Sequence, residues 1–193
     1  IVYPGTLNEH QGLDIALRAF ARIAESIPEA QFHIYGEGPA LPQLLALRKE
    51  LQQEERIRFH GFLSVKEIGK RMAEADLAVV PKRVSSGFGN EAASTKIMEF
   101  MSVGVPVVVS RTQIDSLEYD DSVVHFVAPE DEVALAKAMR HLYDHPEYRE
   151  QMVRNAFAYL QQNSWAKRKY DYLGVIDALC PRINRNSERE AHA

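Results

Sequence analysis

The sequence predicts an α/β fold built on a doubly wound sheet of six parallel strands. Three observations carry that expectation. Short apolar runs rich in Val, Ile, Phe and Tyr alternate with longer segments of helical period, the pattern of successive βαβ units. The helical segments lie between or after the strands, where crossover connections belong, so both faces of the sheet are covered. The 193 residues, 46% of them hydrophobic, suffice for one core of ordinary domain size.

The strands are expected at Ile1–Tyr3, Gln31–Tyr35, Ile57–His60, Leu77–Val80, Val107–Val109 and Val123–Val127. Between the first two, Leu13, Ala16, Leu17, Phe20, Ile23, Ala24 and Ile27 recur at i, i+3, i+4 and i+7, which places one buried stripe on a covering helix. Further helices are expected at Leu41–Gln53, Val65–Ala73, Ser94–Ser102 and Glu130–Tyr143. Two more follow, Glu147–Gln161 behind Pro146, and Trp165–Leu179. Residues 1–180 read as one domain; from Pro181 to Ala193 almost no apolar residue occurs, the composition of a disordered tail.

Composition excludes several classes of function. A net charge of -4 argues against a nucleic-acid surface, and the one basic cluster, Lys167, Arg168 and Lys169, reads as a solvated helix face. The single cysteine, Cys180, leaves no internal disulfide, and no Cys/His spacing fits a structural zinc site. His141 and His145 stand at i, i+4, but no third ligand accompanies them; His33 and His60 are read as packed in their strands. No metal and no cofactor are expected. A reducing, cytoplasmic setting fits. No transmembrane segment is expected, since no apolar run approaches the roughly 20 residues a membrane span requires; the parent has room to sit peripherally on the inner face of a membrane. The chain opens on Ile1 rather than Met, directly into a strand, and reads as a piece of a longer protein.

Ligands of a doubly wound sheet bind outside the carboxyl ends of the strands, which directs attention to the loops there. The first loop runs Gly5-Thr6-Leu7-Asn8-Glu9-His10-Gln11-Gly12, the second Gly36-Glu37-Gly38-Pro39, and the third Gly61-Phe62-Leu63. The fourth runs from Pro81, Lys82 and Arg83 through Gly87-Phe88-Gly89-Asn90-Glu91 to a helix opening near Ser94, Thr95 and Lys96. Glycines permit close backbone approach to a ligand, and a helix N-terminus offers free N–H groups to an anion, so a pyrophosphate is the natural guest. A dinucleotide fingerprint fails, because Leu41 stands where its third glycine belongs. His10 faces the same site, as a contact to donor or acceptor or as a plain loop residue.

Glu91 and Glu99 are eight residues apart, the first read as lying in the glycine-rich loop and the second inside the helix that follows. At 1.5 Å per residue Glu99 lies roughly 7–9 Å along the axis, so the two carboxylates straddle the helix end, able to meet a sugar and a ribose across the phosphates. Spacing alone leaves a pair of solvated glutamates equally open.

The run from Gly87 to Glu99, continued by Phe100-Met101-Ser102-Val103-Gly104-Val105-Pro106-Val107-Val108, resembles the E-x7-E signature and G-x-P-V-V continuation of family 4 (group 1) glycosyltransferases of the GT-B fold. Tyr3-Pro4-Gly5-Thr6, the Ile34–Pro39 turn and Asn163-Ser164-Trp165 are similar to the same family's carboxy-terminal domains. The resemblance implies a Rossmann-like sheet in the order 3-2-1-4-5-6, the C-terminal half of a GT-B fold. It implies metal-independent transfer from a nucleoside-diphosphate sugar, with retention at the anomeric carbon. The saccharide or lipid-linked acceptor would bind an N-terminal domain outside this chain, so the chain alone is expected to be inactive.

Residue by residue, Glu91 would contact the donor sugar and Glu99 the ribose hydroxyls, while Phe62 and Leu63 match the stretch whose backbone touches the base. Gly5, Gly36, Gly89, Ser94 and Thr95 complete the donor-binding set. The family commonly carries Arg and Lys where this chain has Thr6 and Gln11; Lys82, Arg83 and Lys96 are then the candidates to neutralise the departing diphosphate, Lys96 as a catalytic cation beside Glu91. Lys82 and Arg83 also read as exposed loop charges. Two rivals stay open: a GT-B nucleotide-sugar epimerase, and a non-catalytic module that binds nucleotide sugars.

Overall fold

The computed structural model describes residues 1–85 and 88–180; the expected tail at 181–193 lies outside the described residues. Among them, six strands form one parallel sheet in the order β3-β2-β1-β4-β5-β6. The strands are β1 (Val2–Pro4), β2 (Phe32–Tyr35), β3 (Ile57–His60), β4 (Ala78–Val80), β5 (Val107–Ser110) and β6 (His125–Val127). Register runs from Val2 opposite His33 on one side to Ser110 opposite Val127 on the other. The helices are α1 (Leu13–Ala24), α2 (Leu41–Glu50), α3 (Val65–Ala73), α4 (Phe88–Glu91), α5 (Thr95–Ser102), α6 (Gln113–Glu118), α7 (Glu132–Asp144), α8 (Pro146–Asn163) and α9 (Trp165–Leu179).

Side-chain alternation along the strands divides the interior into two cores, one per face of the sheet. Tyr3, Ile34, Val79 and Val108 join α1 and α7 in the first, where α1 buries Leu13, Leu17, Phe20 and Ile23. Val2, Tyr35, Val80, Val107 and Val109 join Ile97, Phe100 and Met101 of α5 in the second, closed by Ala156 of α8. Each large side chain so buried contributes about 1.5–3 kcal/mol relative to exposure.

Helix boundaries move for local reasons. The second helix, expected to reach Gln53, ends at Glu50 because Gln52 adopts φ +55, a left-handed stop. α7 starts two residues late: Glu130 has φ +59, outside helical geometry, and the Asp131 carboxylate caps the helix by accepting from Val133 and Ala134 N–H. Three short elements escape the periodicity: a 3-10 turn at Glu9–Gln11, α4 and α6. α9 forms where expected but buries none of its residues.

Candidate functional site

At the carboxyl ends of β1, β2 and β4 the loops pack on one another before they face any ligand. Gly36 has φ +134, and a Cβ there would lie 2.0 Å from the Gly5 carbonyl oxygen. Gly5 itself has φ +138, and its Cβ would overlap the Lys96 side chain at 2.5 Å. These glycines therefore let loop meet loop and let Lys96 reach inward; the sequence reading, which gave their space to a ligand, is corrected on the Cβ side of each.

Lys96, on the first turn of α5, crosses to the first loop. Its ammonium donates to Gln11 Oε1 at 3.2 Å and sits 5.5 Å from the Tyr3 ring centre. The buried Tyr3 hydroxyl donates to the same Gln11 oxygen at 3.1 Å and, more weakly, to the Thr6 carbonyl at 3.4 Å. Gln11 thus acts as an acceptor that aims the lysine, and Thr6 is exposed at the loop's tip. Burial pulls the Lys96 amine below the ordinary lysine range; the Glu99 charge opposes that shift and the Lys82 charge adds to it. A partly desolvated ammonium facing an open loop at a helix N-terminus is arranged to receive an anion.

Glu99 lies four residues into α5, about 6 Å along its axis, and is exposed. Glu91, read as a loop residue, ends the one-turn helix α4, where its side chain is exposed. α4 packs on α6 and on the 3-10 turn that carries Gln11, so Glu91 and the Lys96 anchor belong to neighbouring elements.

Lys82 and Arg83 are not exposed loop charges. Lys82 is 3% exposed, its ammonium 2.6 Å from an Asp115 carboxylate oxygen, and it donates to the Ala92 carbonyl at 2.8 Å. Asp115, fully buried, also accepts from Thr112 Oγ1 at 2.7 Å and from the Ser94 N–H at 3.3 Å. The pair pins the approach to α5 against the start of α6, helped by the Gln113 N–H donating to Asn90 Oδ1. Arg83 divides its guanidinium between Asp14 of α1 and Glu130 of the β6–α7 turn. Both cations are thus neutralised within the protein, which removes them as direct neutralisers of a ligand in this conformation. Asp14, Asp115 and Glu130 escaped the sequence reading; the T-x-x-D spacing of Thr112 and Asp115 behind a strand was the one available signal.

The remaining loop residues line a groove. Gly36, Glu37, Gly38, Phe59, His60 and Gly61 border a cavity of 600 Å³ between the second and third loops. Phe62 beside it is 78% exposed, whereas Leu63 packs under the second core. Ser94 is buried, Thr95 is exposed, and Gly89 lies with its backbone against the Arg83 carbonyl. A more enclosed, more apolar cavity of 540 Å³ lies mainly toward the opposite end of the strands around Ile1, Ile27, Ala30 and Leu77; position on the sheet favours the carboxyl-end groove. His33 and His60 stack with Tyr35, their ring nitrogens 3.0 Å apart, and both are held below the ordinary histidine range, chiefly by burial. His141, His145 and His125 cluster near Tyr148, but among the described residues no three His, Cys, Asp or Glu side chains converge as a metal site requires.

The family model described as "Glycosyl transferases group 1" matches residues 1–145. The chain belongs to the group 1 glycosyltransferases. Similar proteins include an alpha-D-kanosaminyltransferase of Streptomyces kanamyceticus, 29% identical over 81% of this chain and 39% of that protein. A putative colanic acid biosynthesis glycosyltransferase of Escherichia coli K12 is 28% identical over 72% of this chain and 34% of its own length. The chain therefore spans well under half the length of these relatives. Among solved structures, Anabaena Alr3699/HepE in complex with UDP superposes with a TM-score of 0.80 at 19% identity, covering 92% of this chain and 48% of that one. The C-terminal domain of a group 1 glycosyltransferase from Francisella tularensis gives 0.72 at 17% identity, over 83% and 82%. The six-stranded sheet of this chain thus has the Rossmann-like fold found in GT-B glycosyltransferases. Among the described residues of this glycosyltransferase chain, no helix is long and apolar enough to cross a membrane.

Proposed function

We propose that the chain is the donor-binding domain of a retaining glycosyltransferase that takes a nucleoside-diphosphate sugar without a metal. The placement of Lys96 carries this reading: its ammonium occupies the first loop beside Gly5 and Gln11, at the N-terminus of α5. In that role it neutralises the diphosphate as the bond from the anomeric carbon to the phosphate oxygen breaks. The acceptor oxygen then bonds that carbon on the face just vacated, and its proton passes to the departing phosphate oxygen. Glu99 accepts the ribose hydroxyls through charge-assisted hydrogen bonds, Glu91 meets the sugar, and the groove beside Gly61, Phe62 and Leu63 takes the base. The acceptor binds a domain outside this chain, so the chain alone binds donor without transferring it. That UDP is bound by the similar Anabaena protein makes UDP the first nucleotide to try.

Calorimetric titration of the chain with UDP, GDP and ADP tests the reading. One nucleotide is expected to bind, and Glu99→Ala to weaken it by about 1.5–3 kcal/mol, the range of a charged hydrogen bond. Lys96→Ala is expected to weaken the diphosphate more than the nucleoside monophosphate. Failure of the folded chain to bind any of the three, or indifference to both substitutions, overturns the assignment.

A further inference from the structure

Glu130 stands out on conformation and on contacts together. Its φ of +59 lies in the left-handed region that residues other than glycine seldom occupy, and such a conformation persists only where the surroundings over-determine it. Here the surroundings are the fourth loop. One Glu130 carboxylate oxygen accepts from the Val84 N–H at 3.1 Å and the Ser85 N–H at 2.9 Å; the other accepts from Ser85 Oγ at 2.9 Å and an Arg83 guanidinium nitrogen at 3.3 Å. Arg83 passes the connection on, through its side chain to Asp14 of α1 and through its backbone N–H to the His10 carbonyl of the first loop at 3.0 Å. A carboxylate from the far edge of the sheet thus fills an anion-binding nest on the fourth loop and ties it to the loop that holds Lys96.

We propose that Glu130 is a positioning residue of the donor site, a latch that sets residues 82–85 and through Arg83 fixes the fourth loop against the first; this rests on the donor-site reading. Charge explains why a glutamate holds this place. The nest offers two backbone N–H groups, a hydroxyl and a guanidinium, all donors, and an anion satisfies them together. A glycine would suit the backbone better and would leave those donors unmet.

Wild type, E130G and E130Q are titrated calorimetrically with UDP, GDP and ADP and melted in parallel, with amide exchange followed at Val84 and Ser85. The nucleotide that wild type binds is expected to bind E130G roughly ten- to hundredfold more weakly, the loss that goes with misplacing a charged hydrogen bond to it. Its Tm is expected to hold or rise, since glycine relieves the left-handed strain, and the two amides to exchange faster. E130Q, which keeps one oxygen acceptor, falls between. Unchanged affinity in E130G overturns the latch and leaves the donor site standing. Affinity and Tm falling together assign Glu130 to stability alone and overturn it as well. Wild type binding none of the three nucleotides overturns the donor reading, and the proposal with it.

Discussion

Lys96 carries its charge where water is scarce, and its pH dependence follows. Burial lowers its pKa, so the ammonium is present below that lowered value and is lost as pH rises through it, sooner than for a solvated lysine. Nucleoside-diphosphate affinity is therefore expected to fall at alkaline pH, where the diphosphate is already fully ionised, and Lys96→Met to bind weakly with no such fall; titrations across that range check it. Lys82 teaches the opposite lesson, since its ammonium belongs to Asp115. Lys82→Met leaves a carboxylate buried without its counter-ion, and a loss of about 3–5 kcal/mol is expected in denaturant unfolding, with Lys82→Met/Asp115→Asn recovering part of it. Neither fate was legible from the run Pro81-Lys82-Arg83. A basic pair after a strand looks the same whether it faces solvent, phosphate or a carboxylate, and the deciding partners stand on α6, on α1 and in the β6–α7 connection. Lys96 was legible because a signature places it at a helix start.

Elements long enough for a period to register were legible to within three residues. β3, α3 and α9 have the boundaries expected of them, and β1 is offset by one. The 3-10 turn at Glu9–Gln11, α4 and α6 were not, because three to six residues contain too few turns for a 3.6-residue period to register. Their placement matters, since α4 carries Glu91 and α6 carries Asp115. The second loop is bound by a stricter condition. At Gly36→Ala the new methyl meets the Gly5 carbonyl, backbone that cannot swing aside, in a conformation L residues avoid. A destabilisation of about 2–3 kcal/mol is expected, read as a lower Tm that nucleotide only partly restores.

The whole molecule separates into a sheet covered on both faces and a last helix that adds little to it. The covering was legible because each crossover helix must bury a stripe, and those stripes are written in the sequence. Trp165, Tyr170 and Tyr172 stand exposed on that last helix; an apolar side chain in a helix signals burial without naming the surface that buries it. Removing residues 165–193 is expected to shift Tm by less than about 4 °C, the equivalent of roughly 1 kcal/mol for a chain of this size, as circular dichroism melts would show. The interlock of Gly5 and Gly36 reaches further. In a saturation-mutagenesis map of donor use, both positions would score as intolerant, and the pattern would mimic sugar recognition although it records one loop resting on another at Gly36 and the room taken by Lys96 at Gly5. Grafting a different donor preference onto this scaffold accordingly requires the first and second loops to be transplanted as a matched pair.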